Sequence, residues 1–99
     1  MKKLLILNLC KIYYDEIKSG LKKEELREAK PYWIKRLENK KYDYIIIRCG
    51  YPKKNDKSRE MYFKYNGYTK KRTRHEHFGY KDLLVYSIDL SERIENLDY

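Results

Sequence analysis

Three isoleucines in a row, Ile45, Ile46 and Ile47, lie inside the run YDYIIIRCG that begins at Tyr42. β-Branched side chains lose rotamers in a helix but fit the pleated surface of a sheet, so this run commits the chain to an extended element. Lys40-Lys41 before it and Gly50-Tyr51-Pro52 after it mark its ends. A second run, Leu4 to Leu9, is apolar except for Asn8, the pattern of a strand covered on both faces. A chain of 99 residues has room for one core and not two, so both runs belong to a single domain spanning 1–99.

Between these runs the hydrophobic period changes. Ile12, Tyr13 and Ile17 recur at helical spacing, and Ser19-Gly20 supplies a stop in which Gly20 can take the left-handed conformation. Lys22 to Glu28 reads as extended, and Pro31 opens a second helix with Trp33, Ile34 and Leu37 on one face. Further on, PKKNDKS is a polar loop, while REMYFKYNGY alternates, with Met61, Phe63 and Tyr65 on one side and Tyr62 and Lys64 on the other. Asn66-Gly67 predicts a hairpin into an exposed, basic second strand. LLVYSIDL closes the sheet, and SERIENLDY is a short terminal helix or a frayed tail. The expected fold is α+β, a partly closed β-barrel of five or six strands with two short helices.

Hydrophobic residues at 41% and aromatics at 15% exclude a disordered chain, while 39% charged residues and a mean hydropathy of -0.98 describe a densely ionic surface. The net charge of +9 is uneven: Tyr51 to Lys81 carries ten Lys and Arg against Asp56, Glu60 and Glu76. That third is the candidate anion-facing surface, the alternative being a solvated face. Cys10 and Cys49 lack CxxC or Cys-His spacing and read as reduced core thiols of a cytoplasmic protein. The opening MKKLLILNLC is too short an apolar run for a signal peptide and lacks a small-residue cleavage site. No later window approaches membrane-spanning length, so no membrane partner is expected.

The densest cluster of opposite charges is KSGLKKEELREAKPYWIKRL, Lys18 to Leu37. On an extended segment Glu25 and Arg27 project from one face, and Lys22 at the turn is free to enter the same space. A partly buried lysine next to a carboxylate can be tuned as proton donor or acceptor, and the arginine can hold a phosphate or orient the carboxylate. A surface strand with paired charges of little energy is the alternative. Gly20, Lys22, Glu25 and Arg27 match the pattern G-x-K-x-x-E-x-R, and in it the chain resembles the ASCH domains of the PUA-like superfamily. The first strand LLILNL, the helix ending IKSG, the segment YWIKRL and the closing VYSIDL extend that likeness from Leu4 to Leu90. They are similar to the small stand-alone ASCH proteins of bacteria and their phages.

The resemblance implies binding of RNA or a modified nucleoside in the cleft that carries the motif. It equally admits an enzyme, either an amidohydrolase that deacylates N4-acetylcytidine or a ribonuclease, with Lys22 and Glu25 as the catalytic pair. The amidohydrolase branch has threonine where this chain has Glu25, so a carboxylate would here act as general base on water. Glu24 also departs from the family, which places an apolar residue there, and Glu76 is the candidate for a further glutamate of that branch.

Twelve tyrosines, several interleaved with Lys and Arg, have the composition of a single-strand platform, although tyrosine is also a good strand residue. Tyr32 beside the motif is a candidate ligand contact, and Trp33 reads as core. In KKRTRHEHFGY, Arg72 and Arg74 are candidate phosphate contacts, and His75 can add acid or base chemistry if the fold brings it to the cleft. His75 and His77 share a strand face but lack a third ligand, so neither a metal nor another cofactor is expected. A third reading is an interaction protein that docks its basic third on an acidic partner.

Overall fold

The computed structural model describes residues 2–50, 59–74 and 82–95, which form an α+β fold of two helices and seven strands in two sheets. The three isoleucines lie on β3 (Tyr44–Cys49), and all three are buried. On one side β3 pairs in parallel with β1 (Leu4–Leu9), and on the other antiparallel with β4 (Glu60–Lys64). A parallel pair needs a long crossover. Here the crossover contains α1 (Lys11–Lys18), β2 (Glu24–Glu28) and α2 (Pro31–Leu37). β2 leaves the first sheet and becomes one edge of a second, ordered β2-β6-β5, with β6 (Asp82–Asp89) central and β5 (Tyr68–Arg74) at the other edge.

One core joins the two sheets. It gathers Leu5, Leu7 and Leu9 of β1, Ile45 and Ile47 of β3, Met61 and Phe63 of β4, and Tyr86 and Ile88 of β6. Tyr14 and Ile17 of α1 and Leu37 of α2 complete it. Burial of this apolar surface, at about 25 cal/mol per Å², is the main term that holds the sheets together. α1 ends as the sequence predicts. The Gly20 amide donates to the Ile17 carbonyl, and Gly20 itself has φ +84, where a side chain would be strained. Lys22 is tied back through its amide to the Glu16 carbonyl. Pro31 opens α2, where its missing amide costs nothing.

Several expectations change. Asn66-Gly67 lies between β4 and β5, with Gly67 at φ +88, but the two strands do not form a hairpin. β4 has β3 on one edge and β7 (Arg93–Ile94) on the other, so it has no edge left for β5, which pairs with β6 instead. β7 also replaces the expected terminal helix at Arg93–Ile94 and takes the strand count past six; residues 96–99 lie outside the described residues. β1 is covered on one face only, since Ile6 on the other is 40% exposed. Tyr14 takes the buried position on α1 in place of Ile12, which is exposed. Ile34 turns partly outward while Trp33 and Leu37 pack, and Cys10 is exposed whereas Cys49 is buried.

Candidate functional site

β2 positions the charged cluster through its two-residue period. Glu25 and Arg27 share the face that looks into the core, opposite Ile88 and Tyr86 of β6. Glu25 is 2% exposed, a carboxylate among the most buried side chains of the fold. The Lys22 Nζ lies 3.8 Å from its Oε1, and the Arg27 Nη2 lies 2.8 Å from its Oε2. Lys22, Glu25 and Arg27 are therefore brought together, as the sequence predicts.

Burial pushes the Glu25 carboxyl above the ordinary carboxylate range, and the charges of Arg27 and Lys22 recover only part of that rise. The Arg27 contact is close but off the line of a hydrogen bond, which leaves Oε2 with no hydrogen-bond partner among the described residues. The Arg27 Nε and the Asn8 Oδ1 are likewise buried without a partner among those residues. Arg27 spends its Nη2 on the Asn8 carbonyl at 3.3 Å, which ties the second sheet to β1. Three buried polar atoms with unused hydrogen-bonding capacity thus belong to Glu25, Arg27 and Asn8, two of them charged and facing each other.

Aromatic rings flank the cations. The Lys22 Nζ stands 5.5 Å from the ring centre of Tyr13 on α1, and the Arg27 guanidinium stands 5.0 Å from that of Trp33 on α2. Trp33 is half-buried and meets Tyr32 edge to face at 5.0 Å. Tyr32, exposed at 56%, in turn carries the Arg36 guanidinium 3.9 Å from its ring centre. Asn8, Tyr13, Trp33 and Arg36 are the neighbours that sequence reasoning did not assign to the site. Asn8 had a signal, as the one polar residue in an apolar run, and Arg36 had another, as the residue four after Tyr32 on a helix.

Arg72 and Arg74 do not join this cluster. On β5 they stand opposite Leu84 and Asp82, farther along β6 than Tyr86 and Ile88, the partners of Arg27 and Glu25. Arg72 lies 3.8 Å from the Asp82 carboxylate. His75 and the His75/His77 pair lie outside the described residues. Among the described residues no three His, Cys, Asp or Glu side chains are grouped to hold a metal, and no helix is long and apolar enough to cross a membrane.

Two further polar groupings border the site. Glu38, just after α2, accepts from Lys70 at 2.7 Å and from the Tyr86 hydroxyl. That hydroxyl, fully buried and set against a carboxylate, is pushed up to about 12. On the opposite face of β2, Glu24 accepts from Ser87 at 2.8 Å and Lys71 at 3.0 Å, and borders a cleft of about 240 Å³ that Lys22, Glu25 and Arg27 do not line. Compared with known proteins, the chain matches no family model, no curated protein and no solved structure.

Proposed function

We propose that this chain is an ASCH-type domain of PUA-like architecture that binds RNA or a modified nucleotide at the Glu25 cluster, in the cytoplasm. The reading rests on the sequence pattern Gly20, Lys22, Glu25 and Arg27 and on one observation. A carboxylate 2% exposed is held between two cations while Glu25 Oε2 and Arg27 Nε keep hydrogen-bonding capacity in hand. A structural ion pair gains most when its groups satisfy one another, whereas a recognition site keeps donors and acceptors for its ligand. A nucleobase edge offers donors and acceptors in one plane, and the adjoining rings suit its faces. In this reading the two sheets close partly into a barrel around their shared core, and Arg72 and Arg74 attract phosphates farther along the same face.

The test is fluorescence anisotropy of a labelled single-stranded RNA against salt. Affinity is expected to fall linearly on logarithmic axes as salt rises, and to fall further in Lys22→Ala and Arg27→Met. Salt-independent binding, or none, removes the reading.

The raised carboxyl of Glu25 favours a second reading, hydrolysis of an N4-acylated cytidine. Glu25 would take a proton from water as the water oxygen bonds to the acyl carbon, and the C–N bond would break as the leaving nitrogen takes a proton from Lys22. Acetate and cytidine are the products when the substrate is N4-acetylcytidine. Mass spectrometry decides this: cytidine formed by the wild type and lost in Glu25→Gln supports it, and no cytidine from the wild type excludes it for that substrate.

A further inference from the structure

The contacts of α2 continue beyond the Glu25 cluster in a regular way. Arg27 faces Trp33, Trp33 meets Tyr32, and Tyr32 carries Arg36, so cation and ring repeat twice from the buried carboxylate to the surface. Both repeats keep donors in reserve. Arg27 has its Nε unpartnered, and Arg36 has no carboxylate within ion-pair distance among the described residues. Nearby cations behave differently: Lys70 is taken by Glu38 and Lys71 by Glu24. An exposed ring topped by a guanidinium with no carboxylate partner among the described residues is suited to stack a base and hold a phosphate.

We propose that Tyr32 and Arg36 form an outer nucleotide step, and that the ligand is therefore a single-stranded RNA of at least two nucleotides, not a free nucleoside. One base docks at the solvent-facing margin of the cluster, against the part-exposed Lys22 and Arg27 beside Trp33. The next stacks on Tyr32, and the phosphate joining them faces Arg36. The inference rests on the reading of the Glu25 cluster as a nucleotide site and adds the length and strandedness of its ligand. Because stacking on a ring tolerates any base, the outer step contributes affinity with little sequence preference.

The experiment uses the whole chain with two kinds of probe, cytidine 5′-monophosphate and labelled single-stranded octamers of cytidylate and of adenylate. Trp33 is the one tryptophan of the sequence, so its fluorescence reports the inner step directly, while anisotropy reports the octamers. Tyr32→Ala and Arg36→Gln are expected to weaken both octamers roughly tenfold, within the range measured for single base-stacking contacts. Arg36→Gln also lowers the salt slope by about one. Both variants should weaken the octamers more than the mononucleotide, whose own phosphate shares the Arg36 contact, whereas Glu25→Gln weakens mononucleotide and octamers alike. Octamers that bind no tighter than the mononucleotide, or that bind the two α2 variants as they bind the wild type, overturn the outer step while leaving the inner site standing. A lower melting temperature in those variants with unchanged octamer affinity shows a helix-stabilising pair and also overturns it. No binding of any probe removes the nucleotide site itself and the outer step with it.

Discussion

Glu24 and Glu25 are neighbours in sequence and opposites in environment, because successive residues of β2 point to opposite faces of its sheet. Glu24 accepts hydrogen bonds from Lys71 and Ser87, and despite some loss of solvent its carboxyl is held below the ordinary range. Glu25 has two cations beside it and yet sits above that range, because its burial is nearly complete. Nearby positive charge does not by itself decide a carboxylate's protonation. What decides is the water lost against the contacts that replace it: Glu24 stays partly solvated and accepts from Lys71 and Ser87, whereas the burial of Glu25 outweighs the charges of Arg27 and Lys22 and the hydrogen bonds it receives. One face of the strand is a satisfied structural contact, and the other keeps hydrogen-bonding capacity unused among the described residues.

The sharpest way to break this contrast is to remove the nearest cation from the buried side. Arg27→Met strips Glu25 of its 2.8 Å partner and leaves a carboxylate in the core. Breaking a buried pair costs about 3–5 kcal/mol, and the lower end applies because the Arg27 side chain keeps 20% of its surface. Denaturant unfolding at neutral pH should show a loss of about 3 kcal/mol. The loss should shrink in mild acid as Glu25 takes up a proton, and adding Glu25→Gln should restore much of it. A loss that is the same at both pH values means that Arg27 acts through packing on Trp33 and not through charge.

Replacing each glutamate by glutamine sharpens the comparison further, since the two changes should move stability in opposite directions. Glu25 has a folded-state pKa above its unfolded value, so the folded protein binds more protons between the two. Stability therefore falls as pH rises through that window, and Glu25→Gln, a permanent stand-in for the protonated acid, should be at least as stable as wild type at neutral pH. Glu24 has its pKa lowered, so its contribution is present above the ordinary carboxylate value and is lost as pH falls through the lowered one. Glu24→Gln should cost less than about 1 kcal/mol at neutral pH, because Glu24 and Lys71 are both partly solvated. If both variants lose stability at neutral pH, Glu25 is a structural ion pair and its assignment to a site weakens.

The Glu25 side of this contrast could be read from sequence because it depends on local periods. A two-residue strand period places Glu25 with Arg27, and a glycine stop after a helix delivers Lys22. The Glu24 side could not, since Ser87 and Lys71 reach it only through the pairing of β2 and β5 with β6. The same gap explains the hairpin expected at Asn66-Gly67. The dipeptide encodes a turn, but which edges remain open on β4 depends on β3, earlier in the chain, and on Arg93–Ile94, well beyond it. Continuous apolar runs mislead in a related way: Leu4 to Leu9 looks covered on both faces although Ile6 is left half in solvent, because hydrophobicity reports affinity for a core and not the supply of elements to cover it. Contacts between distant residues, such as Tyr86 with Glu38, leave no local trace at all.

That last contact offers the mildest test of the rule that burial governs this face, using a group that is neutral at physiological pH. Tyr86 lies on β6 directly opposite Arg27, with no exposed surface, and its hydroxyl donates to Glu38. Burial first, and the carboxylate second, raise its pKa from 10.0 to about 12. The sign follows from linkage: the unfolded chain loses this proton near pH 10 while the folded protein holds it until about 12, so the contribution is complete below 10 and disappears across that interval. Circular dichroism melts between neutral and strongly alkaline pH should therefore show a wild-type decline in this interval that is shallower in Tyr86→Phe, which has no hydroxyl to ionise. The difference between the two curves isolates Tyr86 from the lysines and the other tyrosines that titrate nearby. Parallel curves would mean that the hydroxyl reaches solvent on opening of the α2 side, and that the environment shared by Tyr86 and Arg27 is wetter than their burial implies.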